Sequence, residues 1–86
     1  KMEYEKTRIL KKELKDNEFN KKHFNNIFKI SSLKFIFKSN ESNIIKNIIN
    51  INYDKNCDTL DIKTLEKNKY CNYFVYLNKV KTIIEL

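Results

Sequence analysis

The chain has 86 residues, enough for one small domain and too few for two lobes enclosing a deep cleft. It has no Gly, Pro, Ala, Gln or Trp, where ordinary usage predicts about 6 Gly and about 4 Pro. In their place stand 17 Lys, 13 Asn, 12 Ile, 6 Phe and 5 Tyr, a bias toward residues with AT-rich codons. The net charge of +7 is concentrated: residues 6–38 hold ten basic and three acidic side chains. The same bias that removed Gly supplies Lys, so the charge points to a basic face through its concentration, not through its size. Arg8 is the only arginine, and arginine is the residue expected at bidentate phosphate and base contacts. A lysine surface implies non-specific phosphate attraction at most.

Residues 3–15 read as a helix of Lys and Glu with Thr7, Leu10 and Leu14 on one side. Asp16-Asn17 breaks it. Residues 17–30 read as a second, more amphipathic helix. Phe19, Phe24, Ile27, Phe28 and Ile30 lie on one half, and Lys21, Lys22, Asn25 and Lys29 on the other. Residues 33–38 suit a short strand with Leu33, Phe35 and Phe37 on one face, with a helix continued through Lys38 as the rival. Residues 44–49 stay open between helix and strand, because the isoleucines have helical spacing and strand propensity. From Ile48 the pattern is a meander. Ile49, Ile51 and Tyr53 alternate with Asn, a turn follows at 54–58, and Leu60 and Ile62 alternate with Asp61 and Lys63. After a turn at 67–69, residues 70–77 are apolar or aromatic on both faces, which suits a central strand. Asn78-Lys79 turns into a final strand, 81–86. With Gly and Pro absent, every turn rests on Asn, Asp, Ser or Lys.

The resulting expectation is an α+β single domain, 1–86. Two N-terminal helices (1–47 mainly helical) pack on an antiparallel meander of four to five strands (48–86).

The segments Ile51-Asn52-Tyr53-Asp54, Asp58-Thr59-Leu60-Asp61-Ile62 and Asn78-Lys79-Val80 running to Ile83-Ile84-Glu85-Leu86 resemble a family of short bacterial and phage β-meander domains of unknown function. The resemblance covers residues 48–86. It implies a four-stranded antiparallel meander without enzymatic activity, and some members resemble antitoxins. Family members commonly have Gly before the final Ile-Glu pair, where this chain has Lys81-Thr82-Ile83.

Candidate chemistry is sparse. His23, the only histidine, falls near the apolar side of the second helix. Cys57 and Cys71 have no CxxC spacing, which fits reduced thiols in a cytoplasmic protein; a single disulfide is the alternative if the strands carrying them are neighbours. Asp54-x-Asn56-x-Asp58 imitates the start of a calcium loop. Thr59, Asp61 and Leu65 then occupy the places of its required Gly, apolar residue and Glu. The absence of Gly excludes glycine-rich phosphate loops. No metal, cofactor or catalytic residue is expected. No apolar run is long enough to span a membrane as a helix.

These readings lead to a non-catalytic protein that binds and blocks a larger one, such as a toxin, a nuclease or a defence complex. The partner-binding residues expected are Lys21, Lys22, Lys29 and Tyr73. The alternative is a nucleic-acid binder using Lys11, Lys12, Lys15, Lys21, Lys22 and Lys29 on phosphates. Oligomeric state is not readable from the sequence.

Overall fold

The computed structural model describes residues 2–17, 20 and 31–86. Helix α1 (Met2–Lys15) is followed by strands β1 (Ser31–Phe37), β2 (Ser42–Asp54), β3 (Thr59–Glu66), β4 (Lys69–Tyr76) and β5 (Val80–Glu85). A 3₁₀ turn, Leu77–Lys79, joins β4 to β5.

All five strands form one antiparallel sheet in the order β4-β3-β2-β1-β5. This corrects the expectation of two helices on a meander. The described residues contain one α-helix, and the last strand leaves the meander to pair with β1, placing Ile83 beside Phe35. The expected second helix, with His23 and its Phe and Lys faces, lies outside the described residues apart from Asn17 and Asn20. Residues 31–37 are strand, as the alternation at 33–38 suggests, and 42–49 are strand too, which settles the open reading of 44–49.

The β4–β5 link sets the curvature. Four residue steps from Tyr76 to Val80 reach at most about 14 Å. In a flat sheet the two strands would stand four spacings, about 19 Å, apart. The sheet therefore coils until its two ends meet at the 3₁₀ turn. There the Leu77 N–H donates to the Asp58 carbonyl (2.9 Å) and the Lys38 N–H to the Lys79 carbonyl (2.9 Å).

Strand β2 makes the sharpest bend. Its buried residues are Ile45, Ile48 and Ile51, a spacing of three rather than two. Asn47 has φ 58°, and the pairing slips between Ser31/Leu33 on one side and Ile48/Asn50 on the other. Each slip adds a residue and turns the following side chains to the other face. A doubly bulged strand thus imitates helical spacing, which is why residues 44–49 read ambiguously.

The core lies inside this coil: Leu33, Phe35, Ile45, Ile48, Ile51, Leu60, Ile62, Val75, Leu77, Val80 and Ile83, closed at one side by Leu10 and Leu14 of α1. Helix α1 ends with Lys12 and Lys15 in its last turn, where cations favour the dipole, and with Asn17 at φ 60°. Thr7, Leu10 and Leu14 form its buried stripe, as their spacing predicts. Thr7 does more than pack: its Oγ1 donates to the Ile83 carbonyl (3.3 Å) and accepts from the Ile83 N–H (3.0 Å). Lys11 Nζ donates to the Val80 carbonyl (3.1 Å). Side chains of α1 therefore satisfy both outward backbone groups of Ile83 and the Val80 carbonyl, and the helix lies along that edge.

Among the described residues six non-glycine residues take positive φ: Asn17, Asn40, Asn47, Asp58, Lys67 and Asn68. Four are Asn and one is Asp, the types that tolerate this region best. Lys67-Asn68, at φ 49° and 64°, makes the two-residue β3–β4 turn. Both signs fit a type I′ turn, for which Asn-Gly is preferred.

Two outcomes follow. Thr7→Val, which keeps the shape and removes the hydroxyl, leaves both Ile83 backbone groups unsatisfied. It should lower stability by about 1–3 kcal/mol in urea unfolding, while Thr7→Ser retains most of it. Replacing Lys67-Asn68 by Asn-Gly should raise stability by about 1 kcal/mol in the same assay.

Candidate functional site: the open edge of strand β4

Strand β4 is the other end of the sheet, and no described element covers it. This corrects the reading of 70–77 as a central strand. Aromatic and β-branched side chains suit any pleated surface, and aromatic content by itself does not separate an edge strand from a core strand. Tyr70 is 67% exposed, Phe74 63%, Tyr76 52% and Tyr73 40%. Among the aliphatics only Val75 of this strand is buried.

The turn geometry fixes which backbone groups are free. In a two-residue hairpin the flanking pair, Glu66 and Lys69, exchanges hydrogen bonds, and bonded pairs then alternate along the ladder. Thr64–Cys71, Ile62–Tyr73 and Leu60–Val75 are the bonded pairs in that register. The N–H and C=O groups of Tyr70, Asn72, Phe74 and Tyr76 consequently face away from the sheet. The Leu77–Asp58 bond continues the same alternation. The β3–β4 register contains no shift, unlike the other three strand pairings. Charges, prolines and bulges are the usual protection of an edge. Between Tyr70 and Tyr76 this strand has none of them.

Side chains at the same four positions point to the outer face. Cross-strand register places them in rows: Asn52, Asp61 and Phe74 in one, and Asp54, Thr59 and Tyr76 in the next. A hollow of about 410 Å³ lies among these six residues together with Tyr53 and Cys57. Two others of similar size, one beside α1 and β5 and one beside the β1–β2 turn, are lined by both Lys and Glu.

The lysines expected to contact phosphates are placed differently from one another. Lys12 is exposed. Lys11 is half-buried on the Val80 carbonyl, and desolvation first, then Lys38 and Lys15, holds its pKa below the usual lysine range. Lys15 lies 3.6 Å from Asp58 Oδ1 and 5.8 Å from the centre of the Tyr53 ring. Lys21, Lys22 and Lys29 lie outside the described residues. Tyr73 belongs to the edge strand, on its inner face with Cys71.

The residues imitating a calcium loop form a turn. Asp54 Oδ1 accepts from the Asn56 N–H (2.9 Å), and the Tyr53 hydroxyl donates to Asp58 Oδ1 (2.6 Å). That bond to Asp58, reinforced by desolvation, pushes the Tyr53 pKa up to about 12. Among the described residues no three His, Cys, Asp or Glu side chains converge as metal ligands. Cys57 and Cys71 are free thiols, the first exposed and the second half-buried. No described helix is long and apolar enough to cross a membrane.

Sequence reasoning named Tyr73 but missed Tyr70, Phe74 and Tyr76. Their signal was the odd neighbour, Asn72, in an aromatic run: a polar amide on the outer face is out of place in a covered strand. No family model, curated protein or solved structure matches the chain.

Asp58→Asn should return the Tyr53 pKa toward 10, read by ultraviolet titration of tyrosinate. In the unsubstituted protein the folded state holds the Tyr53 proton more tightly than the unfolded chain. Stability from this bond is therefore complete below pH 10 and declines as pH rises toward 12.

Proposed function

We propose that the protein is a small, non-catalytic binding module that captures an extended segment of a larger protein by strand addition to β4. The observation carrying this reading is the unprotected edge: eight residues in unbroken register, four of them with outward backbone groups and three of those aromatic. In strand addition, main-chain hydrogen bonds give affinity and alternate side chains give selectivity. Tyr70, Phe74 and Tyr76 supply rigid apolar area on one side, and Tyr73 supplies it on the other.

The partner is of the toxin, nuclease or defence-complex kind; the family that residues 48–86 resemble has antitoxin-like members, but the four-stranded meander it implies is not formed, because β5 pairs with β1. The free thiols suit a cytoplasmic setting. Binding phosphates through the helix lysines is the less favoured reading. Lys11 and Lys15 are engaged within the chain, and Lys12 alone of the described three stands free of such contacts.

The test exploits the direction of the Phe74 N–H. Because it points outward, Phe74→Pro removes no bond of the β3–β4 ladder and yet blocks an incoming strand. The variant should keep the circular dichroism and melting profile of the parent. It should also lose partner capture by at least about tenfold in quantitative affinity purification. Equal capture by the two proteins would remove strand addition from consideration. Binding to DNA or RNA that weakens steeply with salt and ignores Phe74→Pro would favour the phosphate reading.

A further inference from the structure

The hollow on the outer face of β2, β3 and β4 specifies what kind of strand the edge accepts. The chain carries 18 Lys and Arg, yet this hollow is lined by two carboxylates and no basic side chain. Asp61 stands next to Phe74 across the β3–β4 ladder. Asp54 and Tyr76 flank Thr59 in the following row. Asp54 and Asp61 are diagonal neighbours on adjacent strands, about 7–8 Å apart at Cα. Thr59, small and buried, leaves the floor between them low.

Both carboxylates are held in place. Asp61 Oδ1 accepts from Asn72 Nδ2 (2.7 Å), and Asp54 Oδ1 accepts from the Asn56 N–H (2.9 Å). Among the described residues neither has a cation within ion-pair distance. The aromatic wall is of the kind that attracts cations, and the chain already uses it so. Lys63 Nζ lies 5.7 Å from the Tyr70 ring centre and Lys79 Nζ 5.6 Å from that of Tyr76. Phe74, between them on the same face, has no such partner among the described residues.

We infer that this hollow seats an arginine or lysine side chain projecting from the strand that adds to β4. An incoming residue paired with Phe74 places its side chain on the same face. A long basic side chain then lies across the Phe74 ring and brings its charge to the Asp61 carboxylate on β3, with Asp54 on the next strand adding to the negative field. The inference rests on the strand-addition reading and adds the chemistry of the partner: an extended segment with a basic residue among uncharged neighbours. Charge complementarity within an otherwise basic protein carries it.

Capped peptides of alternating Val and Thr provide the probe, with Arg, neutral citrulline or Glu at the centre. They are titrated into isotopically labelled protein and followed by amide shifts. The Arg peptide should move the Phe74, Tyr76 and Asp61 amides. It should bind on the order of tenfold tighter than the citrulline peptide, and the Glu peptide more weakly still. Asp61→Asn, which keeps an acceptor for Asn72, combined with Asp54→Asn should erase the difference between Arg and citrulline without altering the melting profile. If Arg and citrulline peptides bind alike, the cation seat is wrong while strand addition stands. Should none of the peptides disturb the β4 amides, both readings fall. If those amides shift with protein concentration alone, the occupant is a second copy, and the partner assignment is overturned.

Discussion

A three-residue link between strands at opposite ends of the sheet order imposes the shape on which everything else depends. Leu77–Lys79 cannot reach across a flat sheet, so the sheet must coil, and coiling requires strands that bend. The chain bends them without glycine. It uses Asn47 at positive φ and register slips in β2, and a further slip between β1 and β5. Coiling in turn creates an enclosed interior large enough for Phe35 and the isoleucine cluster. It also leaves an open side that Leu10 and Leu14 of α1 close. A small domain buries a modest share of its surface, so closing that side with one helix matters.

The two sheet ends are treated in opposite ways by the same chain. At β5, Thr7 and Lys11 supply side-chain partners for backbone groups that would otherwise want another strand. At β4, the equivalent groups meet solvent, and the flanking side chains are aromatic instead of charged. A second anchoring point, where Lys15, Asp58 and Tyr53 meet, fixes the end of the helix to the β2–β3 turn. Near the same strand, Asn20 pairs with both backbone groups of Ile51. One buried hydroxyl, that of Thr64, finds no partner among the described residues.

Much of the strand content was readable in the residues themselves. Alternation located β3, the Asn- and Asp-rich turns located its ends, and the Thr7, Leu10, Leu14 spacing located α1 and its buried stripe. Four features were not readable. The spacing of Ile45, Ile48 and Ile51 looked helical because two bulges reset the facing of a strand. The pairing of β5 with β1 depends on a contact between residues some fifty positions apart, which no local pattern encodes. The exposure of Tyr70, Phe74 and Tyr76 was hidden because hydrophobic character reports a preference for pleated surfaces, not which side of the sheet is covered. The acid-aromatic hollow needed register: Asp54, Asp61 and Phe74 share a face only once three strands are aligned.

An edge that is sealed at one end and open at the other also governs how far assembly can proceed. A sheet with two open ends is a growing unit, since each addition presents a fresh template, and growth runs on to fibres. Here one direction of growth is stopped: at β5 the helix takes the place where the next strand would dock. Copies of the chain therefore cannot stack β4 to β5 in an endless series. The two-faced treatment of its ends lets an aromatic, unprotected strand exist in a small basic protein without making it a seed for polymerisation.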